Sequence, residues 1–382
     1  MRAALVAVWA VILTTGIVQA ANGLQTDLLG VRAGLDEFSP FAISIVMAGY
    51  YVGYSAGPLL CPLFIRRFGH VATIVVGLLI AASVITLHGV FVSPAAWTAL
   101  RAVAGVALAC VYISFESWIN ARTGNVVRGR VFGIYMVAQM VGMTGSQFLL
   151  MTASPATMVL FLLSGSLFLL GAVPVFAARS RAPVHADIER VSLGRMMRVM
   201  RELFVLSPLG LIETFLSGIS WSMVFTFAPV YAQHVGLSVN QVAWFMGVAM
   251  ASAAVLQFPL GWISDHVGRR LTLALMCLGG TASALFGIWA DAHGLASKYI
   301  ASALIGALVF PLYSLAVAHT NDKIAPQLRV PAAAALVLLF GLGSILGPLT
   351  VGQAMTWLGP GGYYDVLAGV MGVSLAVAAA TR

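Results

Sequence analysis

The chain reads as long apolar stretches separated by short polar ones. Runs of roughly 18–25 apolar residues, wound as helices, match the ~30 Å hydrocarbon core of a bilayer. Twelve such runs are expected, at approximately 3–24, 41–64, 71–90, 95–118, 131–152, 156–178, 205–231, 241–264, 271–290, 298–318, 331–353 and 363–380. They are unbroken rather than alternating, so they predict helices and not barrel strands. One longer polar segment remains, 179–203. Pro183 punctuates it, and beyond it Ile188, Val191, Met196, Val199 and Met200 alternate with Arg190, Arg195, Arg198 and Arg201. This pattern predicts an amphipathic linker helix lying on the anionic inner leaflet. The first run, Met1-Arg2 through Val18-Gln19-Ala20, also resembles a cleavable signal peptide. Its apolar stretch exceeds a signal core and its loss would leave an odd number of spans, so a retained first helix is expected.

Composition removes most other classes. Of 382 residues, 60% are hydrophobic and 8% charged, with a mean hydropathy of +0.98. Soluble domains carry about 25% charged residues. A soluble enzyme, a nucleic-acid binder and a disordered chain are excluded. The net charge of +8 comes from 20 basic and 12 acidic residues. If both termini are cytoplasmic, 17 of the 20 basic residues fall on the cytoplasmic side: Arg2, Arg66, Arg67, Arg122, Arg128, Arg130, Arg179, Arg181, Arg190, Arg195, Arg198, Arg201, Arg269, Arg270, Lys323, Arg329 and Arg382. Arg32 and Lys298 fall outside, and Arg101 lies within a span. That bias is the positive-inside pattern, and adding or dropping one span would destroy it. The charge is therefore a topology signal. Cys61, Cys110 and Cys277 all lie in apolar stretches and read as packing residues. No His/Cys/Asp pattern suggests a metal site, and His88 and His319 near span ends are not expected to be ligands.

Short motifs recur about 200 residues apart. Gly69 in Arg66-Arg67-Phe68-Gly69-His70 and Gly268 in Gly261-x-x-x-Asp265-x-x-Gly268-Arg269-Arg270 differ by 199. Gly105 and Gly306, Tyr112 and Tyr313, and Arg128 and Arg329 each differ by 201. Six spans are thus repeated in one orientation, as in transporters whose substrate site lies near the membrane midplane between parallel halves. The expected organisation is a six-helix bundle at 1–178, a cytoplasmic linker at 179–203 and a second six-helix bundle at 204–382.

The second-half loop resembles the signature loop of the major facilitator superfamily, and Arg101-x-x-x-Gly105 its second motif. Ala104-Gly105, Phe115-Glu116-Ser117-Trp118 and Arg128-Gly129-Arg130 resemble the YcaD-like branch of that superfamily. The resemblance spans the whole chain and implies an all-α membrane protein of twelve transmembrane helices in two halves. Some features depart from it. Arg66 and Pro62 stand where the first-half loop should have an acid and a glycine. The fifth span has Gly142-x-x-Gly145-Ser146-Gln147 where proton antiporters have Gly-Pro, and a Gly343-x-x-x-Gly347-Pro348 appears in the eleventh instead.

The resemblance implies an inner gate built from Arg67, Gly69, Arg128, Arg130, Gly261, Asp265, Gly268, Arg269 and Arg270. Gly261 would let a neighbouring helix approach, and Asp265 would pair with nearby arginines. The competing reading makes those arginines topology anchors. Arg101 costs at least ~2.5–3.5 kcal/mol inside a bilayer, so it either faces a wet cavity or snorkels to the outer headgroups. Glu116 shares a helix face with Arg101, Gly105 and Tyr112, but lies about 22 Å along the helix from Arg101. It reads either as a proton site or as a gate acid pairing with Arg67, Arg128 or Arg130. Its gap of twelve to Arg128 exceeds the seven usual in the family. Glu213 makes a polar stripe with Ser217 and Ser220 and is a second proton-coupling candidate. Gln19 and Asn22 rank first among the span amides, ahead of Gln139, Gln147, Gln257 and Gln353. With Arg101, Tyr112, Ser217, Trp221 and Tyr313 they form the expected substrate cavity. Asp365 is expected at an interface.

The expected function is secondary active transport of a small organic solute by alternating access, proton-coupled, with export leading. Uptake of a nutrient or vitamin-like metabolite is the alternative, and a non-transporting sensor or scaffold is a remote one. No nucleotide-binding loop, Gly-x-Ser-x-Gly or His-Glu-x-x-His occurs, so neither an ATP-driven pump nor an enzyme is expected. The expected partners are solute, protons and membrane lipids, with no cofactor, metal or nucleic acid. The expected state is a monomer in the bacterial inner membrane.

Overall fold

The computed structural model describes residues 2–183, 193–325 and 328–381. The linker positions Ile188, Arg190 and Val191 lie outside the described residues. The chain forms helices α1 (Arg2–Leu35), α2 (Pro40–Val90), α3 (Pro94–Arg122), α4 (Asn125–Leu150), α5 (Val159–Ala177), α6 (Leu193–Leu206), α7 (Pro208–His234), α8 (Val239–Val267), α9 (Arg269–Asp291), α10 (Leu295–Val309), α11 (Leu312–Lys323), α12 (Arg329–Leu358) and α13 (Gly362–Ala380). No strand occurs among the described residues.

Among the described residues, ten helices are long and apolar enough to cross a membrane. One of them, α2, has 51 residues and would measure about 77 Å if straight, more than twice a bilayer core. It breaks at Gly69, at φ 79° and ψ 171°, and so makes two crossings. Helix α4, diluted by Gln139, Gln147 and its glycines, supplies the twelfth. Helices α10 and α11 share one crossing, interrupted where Pro311 offers no N–H. The twelve expected spans are therefore all present.

Two differences from the expected elements bear on the site. Helix α1 runs on to Leu35, because Leu24, Leu28, Leu29, Val31 and Ala33 continue its buried face. That extension brings Asp27 into a span. The amphipathic helix α6 packs part of its apolar surface against the protein, while Leu193, Met197, Phe204 and Val205 stay exposed. Met196, Val199 and Leu203 are buried, and Val199 and Leu203 pack with Leu211, Ala332, Ala335 and Leu336 of α7 and α12. Arg195, Arg198 and Arg201 occupy its exposed face.

The chain divides into two compact units. Unit 1 comprises Met1–Arg32 and Val52–Arg190; unit 2 comprises Ala33–Tyr51 and Val191–Arg382. The sequence repeat is visible in the backbone of each. Gly268 takes φ 106° between α8 and α9, as Gly69 takes its positive φ inside α2. Thr73 donates to the Gly69 carbonyl at 2.8 Å, and Thr272 to the Gly268 carbonyl at 3.0 Å. Within unit 1, a Cβ on Gly142 of α4 would meet the Gly16 carbonyl of α1. Within unit 2, a Cβ on Gly343 of α12 would meet the Phe215 carbonyl of α7. The same small-residue contact thus packs the first and fifth crossings of each unit together.

Candidate functional site

In unit 1, α1, α3 and α4 bring three polar side chains into a line. The Tyr112 hydroxyl donates to Gln19 Oε1 at 3.1 Å, and Gln19 Nε2 donates to Gln139 Oε1 at 2.9 Å. Asn22, one turn on from Gln19, is buried with its Oδ1 lacking a hydrogen-bond partner. Glu116 lies one turn beyond Tyr112 on α3 and is exposed. Tyr135 of α4 lies near both Glu116 and Tyr54, and its buried hydroxyl makes no hydrogen bond. Glu116 forms no ion pair with Arg67, Arg128 or Arg130 among the described residues. Arg67 instead sits over the Phe68 ring at 5.5 Å, Arg128 donates to the Thr123 carbonyl at 3.4 Å, and Arg130 is exposed.

Arg101 is buried, at 1% exposure. It follows Trp97 by one turn and lies near His88. Trp97 Nε1 donates to the His88 carbonyl at 3.0 Å. His88 Nδ1 donates to the Val84 carbonyl at 2.7 Å, and its Nε2 makes no hydrogen bond. Arg101 is packed into the end of the α2–α3 hairpin rather than set on an accessible wall.

Asp27 was not expected within a span, because it lies beyond the first apolar run at 3–24. It is fully buried, accepts from Gln147 Nε2 at 2.7 Å through Oδ2, and has no hydrogen bond to Oδ1. A carboxylate carried into a membrane-spanning helix is costly and signals function. Extending the first apolar face to Val31 would have exposed it.

Unit 2 places different chemistry on the same framework. Glu213 is fully buried on α7, with Cys277 Sγ of α9 4.0 Å from Oε2 and no hydrogen bond to Oε1. Ser217 and Ser220 do not extend its polar stripe; their hydroxyls donate back to the Thr214 and Leu216 carbonyls. Trp221 stands half-buried among rings, with centroids 4.7 Å from Phe225, 5.6 Å from Phe310 and 6.0 Å from Phe340. Tyr313 lies 4.6 Å from Phe340. At the repeat spacings of 201–202 residues seen in Gly142/Gly343 and Gly16/Gly218, Tyr112 matches Tyr313, Gln19 matches Trp221 and Gln139 matches Phe340. One unit fills these three positions with a hydrogen-bonded line, the other with aromatic surface.

At the signature loop, Arg269 pairs with Asp265 at 2.6 Å and with Asp322 of α11 at 3.0 Å. Arg270 donates to the Ala378 and Ala379 carbonyls at 3.0 and 2.9 Å, capping α13. Asp322 was not anticipated, because it lies 53 residues from its partner. Gly261 was expected to admit a neighbouring helix; a Cβ there would meet open space. Lys298, placed in a loop by the sequence, is buried on α10 and paired with Asp291 at 2.6 Å. The three cysteines are free and buried. Among the described residues, no group of three or more His, Cys, Asp or Glu side chains is arranged to hold a metal.

Residues 4–348 match the family model of the Major Facilitator Superfamily. The chain is 27% identical over 319 residues to the MFS-type transporter YcaD of Escherichia fergusonii, covering 82% of this chain and 79% of the relative. It is 26% identical over 334 residues to YcaD of Escherichia coli, covering 86% and 83%. Among solved structures, a mutant of the nucleoside transporter NupG superposes with a TM-score of 0.82 at 12% identity, over 98% of this chain and 99% of that one. A bacterial homologue of the human lysosomal transporter Spinster, inward-facing and unoccupied, gives 0.76 at 14% identity over 98% and 95%. At such identities these structures establish the fold alone.

Proposed function

The chain belongs to the Major Facilitator Superfamily, and from that premise we propose that it moves a small, hydrogen-bonding organic solute with an apolar face by proton-coupled alternating access. It is a multi-pass transporter of the bacterial inner membrane and not an enzyme. The observation that carries the solute class is the pair of matched triplets. Tyr112, Gln19 and Gln139 offer hydrogen bonds, while Trp221, Tyr313 and Phe340 offer ring faces. Such a division of polar and apolar groups suits a largely neutral ligand. NupG, a nucleoside transporter by name, is a neighbour of this fold and makes nucleosides a reasonable first panel.

Glu116, exposed and without an ion pair among the described residues, is the proposed proton carrier of unit 1, and buried Glu213 that of unit 2. Asp27 joins them as a third acid within the spans. The proposed orientation sets both termini on the cytoplasmic side, supported by the 17-to-2 bias of basic residues. Export is the proposed direction. A thermal-shift panel of metabolites on purified protein identifies the solute, since a ligand of the folded state raises its apparent stability. Flux into proteoliposomes then tests coupling. Accumulation against the direction of proton flow supports export, and accumulation with it makes the protein an uptake system. Glu116→Gln is expected to abolish pH-driven accumulation while leaving solute counterflow in place. Loss of neither, in Glu116→Gln and Glu213→Gln alike, removes the coupling reading.

A further inference from the structure

A cavity of about 640 Å³ in unit 2 lies at the signature loop and takes no part in the proposed solute recognition or proton transfer. Its wall includes Gly268, Arg269 and Arg270 at the start of α9, and His319 and Lys323 near the end of α11. Helix α9 opens there with no side-chain cap on its first turn and no acidic residue within it. Uncapped first-turn amides and the positive end of a helix dipole favour an anion.

The second observation is His319. It is only 6% exposed, it lines the cavity, and its Nε2 makes no hydrogen bond. A buried ring nitrogen without a partner is costly unless a ligand meets it. The surrounding charges are already allocated in a way that leaves room for one. Arg269 is held between Asp265 and Asp322 and offsets one of their two negative charges, the basic Arg270 and Lys323 outweighing the other. Arg270 is committed to the last carbonyls of α13. Lys323 is exposed and makes no ion pair among the described residues. Val267 and Leu271 on the same wall are about half exposed, at 53% and 50%. A free inorganic anion gains nothing from that apolar rim, whereas an acyl chain does.

We infer that this cavity binds the phosphodiester headgroup of an anionic phospholipid. Lys323, His319 Nε2 and the first-turn amides of α9 meet the phosphate, and the acyl chains run over Val267 and Leu271. Basic pockets between membrane helices are suited to such headgroups.

Native mass spectrometry of the purified full chain in mild detergent tests this directly. Titration with phosphatidylglycerol is expected to leave bound lipid under conditions that strip phosphatidylcholine. Lys323→Gln changes an exposed side chain, so the fold is retained; it is expected to weaken phosphatidylglycerol about fivefold, the effect of roughly one basic residue beside anionic lipid. Lys323→Arg is expected to restore binding, and His319→Leu to weaken it. Equal retention of the two lipids, or unchanged affinity in Lys323→Gln, overturns the inference. So does a site saturated by inorganic phosphate that phosphatidylglycerol fails to displace, which would make the occupant a soluble anion.

Discussion

The two units share a scaffold and differ in what they mount on it. Both bend at a glycine of positive φ, Gly69 or Gly268, and both lock the first crossing to the fifth through a glycine against a carbonyl. At matched positions one then carries Tyr112, Gln19 and Gln139 and the other Tyr313, Trp221 and Phe340. The buried acids do not match either. At the Gly16/Gly218 spacing, Glu213 falls opposite Val11 and Asp27 opposite Pro229. Backbone contacts leave no space for variation, because any Cβ there collides, whereas the three matched side-chain positions hold amide or ring alike. The repeat therefore preserves packing and releases chemistry.

The largest effect should come from breaking the shared part. Gly142→Val and Gly343→Val each drive a side chain into backbone that cannot move aside. Overpacking costs about 1–3 kcal/mol or more, and backbone contact puts both at the upper end. Gly145→Ala on the same helix and Gly261→Ala meet open space. They are expected to be neutral or to gain up to about 1 kcal/mol from helix propensity. Thermal melting of detergent-purified variants separates the two groups, and equal losses in both would end the packing argument.

The next test addresses the part that diverged. Gln19→Leu leaves the Tyr112 hydroxyl and Gln139 without their partner, at a cost of about 1–3 kcal/mol. Trp221→Phe keeps a ring against Phe225 and Phe340 and should cost less than about 1.5 kcal/mol. In transport, Gln19→Leu should raise KM by about tenfold or more, and Trp221→Phe by a few-fold at most. A reversed order would mean that ring contacts, and not hydrogen bonds, dominate solute recognition.

These contrasts also mark how far the sequence could be read. The spans were legible because a bilayer demands about 20 apolar residues, and the repeat because glycines recur at fixed spacing. The end of α1 was not, since polar Gln25 and Asp27 imitate a loop while buried Leu24, Leu28 and Leu29 continue the helix. The apolar face of α6 was legible as a face, but not its partner, because lipid and the buried side of α12 are equally apolar. Gln19, Gln139 and Tyr112 could be named singly; their hydrogen bonds join residues 93 and 120 positions apart and depend on tertiary packing.

A smaller effect should be equal in the two units. Gly69→Ala and Gly268→Ala place an L side chain at positive φ with no steric neighbour, so the cost is conformational alone. Backbone of this kind costs about 1–3 kcal/mol outside glycine. Matching losses of melting temperature are expected, and a large difference would show that one bend is held by something besides its glycine.

The smallest expected change in stability is at Asp322. Its pair with Arg269 is 3.0 Å long, but the carboxylate is 56% exposed and the guanidinium already holds Asp265. Exposed pairs contribute about 0–1 kcal/mol, so Asp322→Asn should melt within a degree or two of the parent. The pair nevertheless ties α9 to α11, and unit 1 has no matching ion pair among the described residues. If gating uses this asymmetry, Asp322→Asn changes transport rate at unchanged stability, and Asp265→Asn, which leaves α9 tied to α11, changes it less. Single-turnover flux on both variants decides the matter: parental rates in both would reduce the signature loop of unit 2 to a topology anchor.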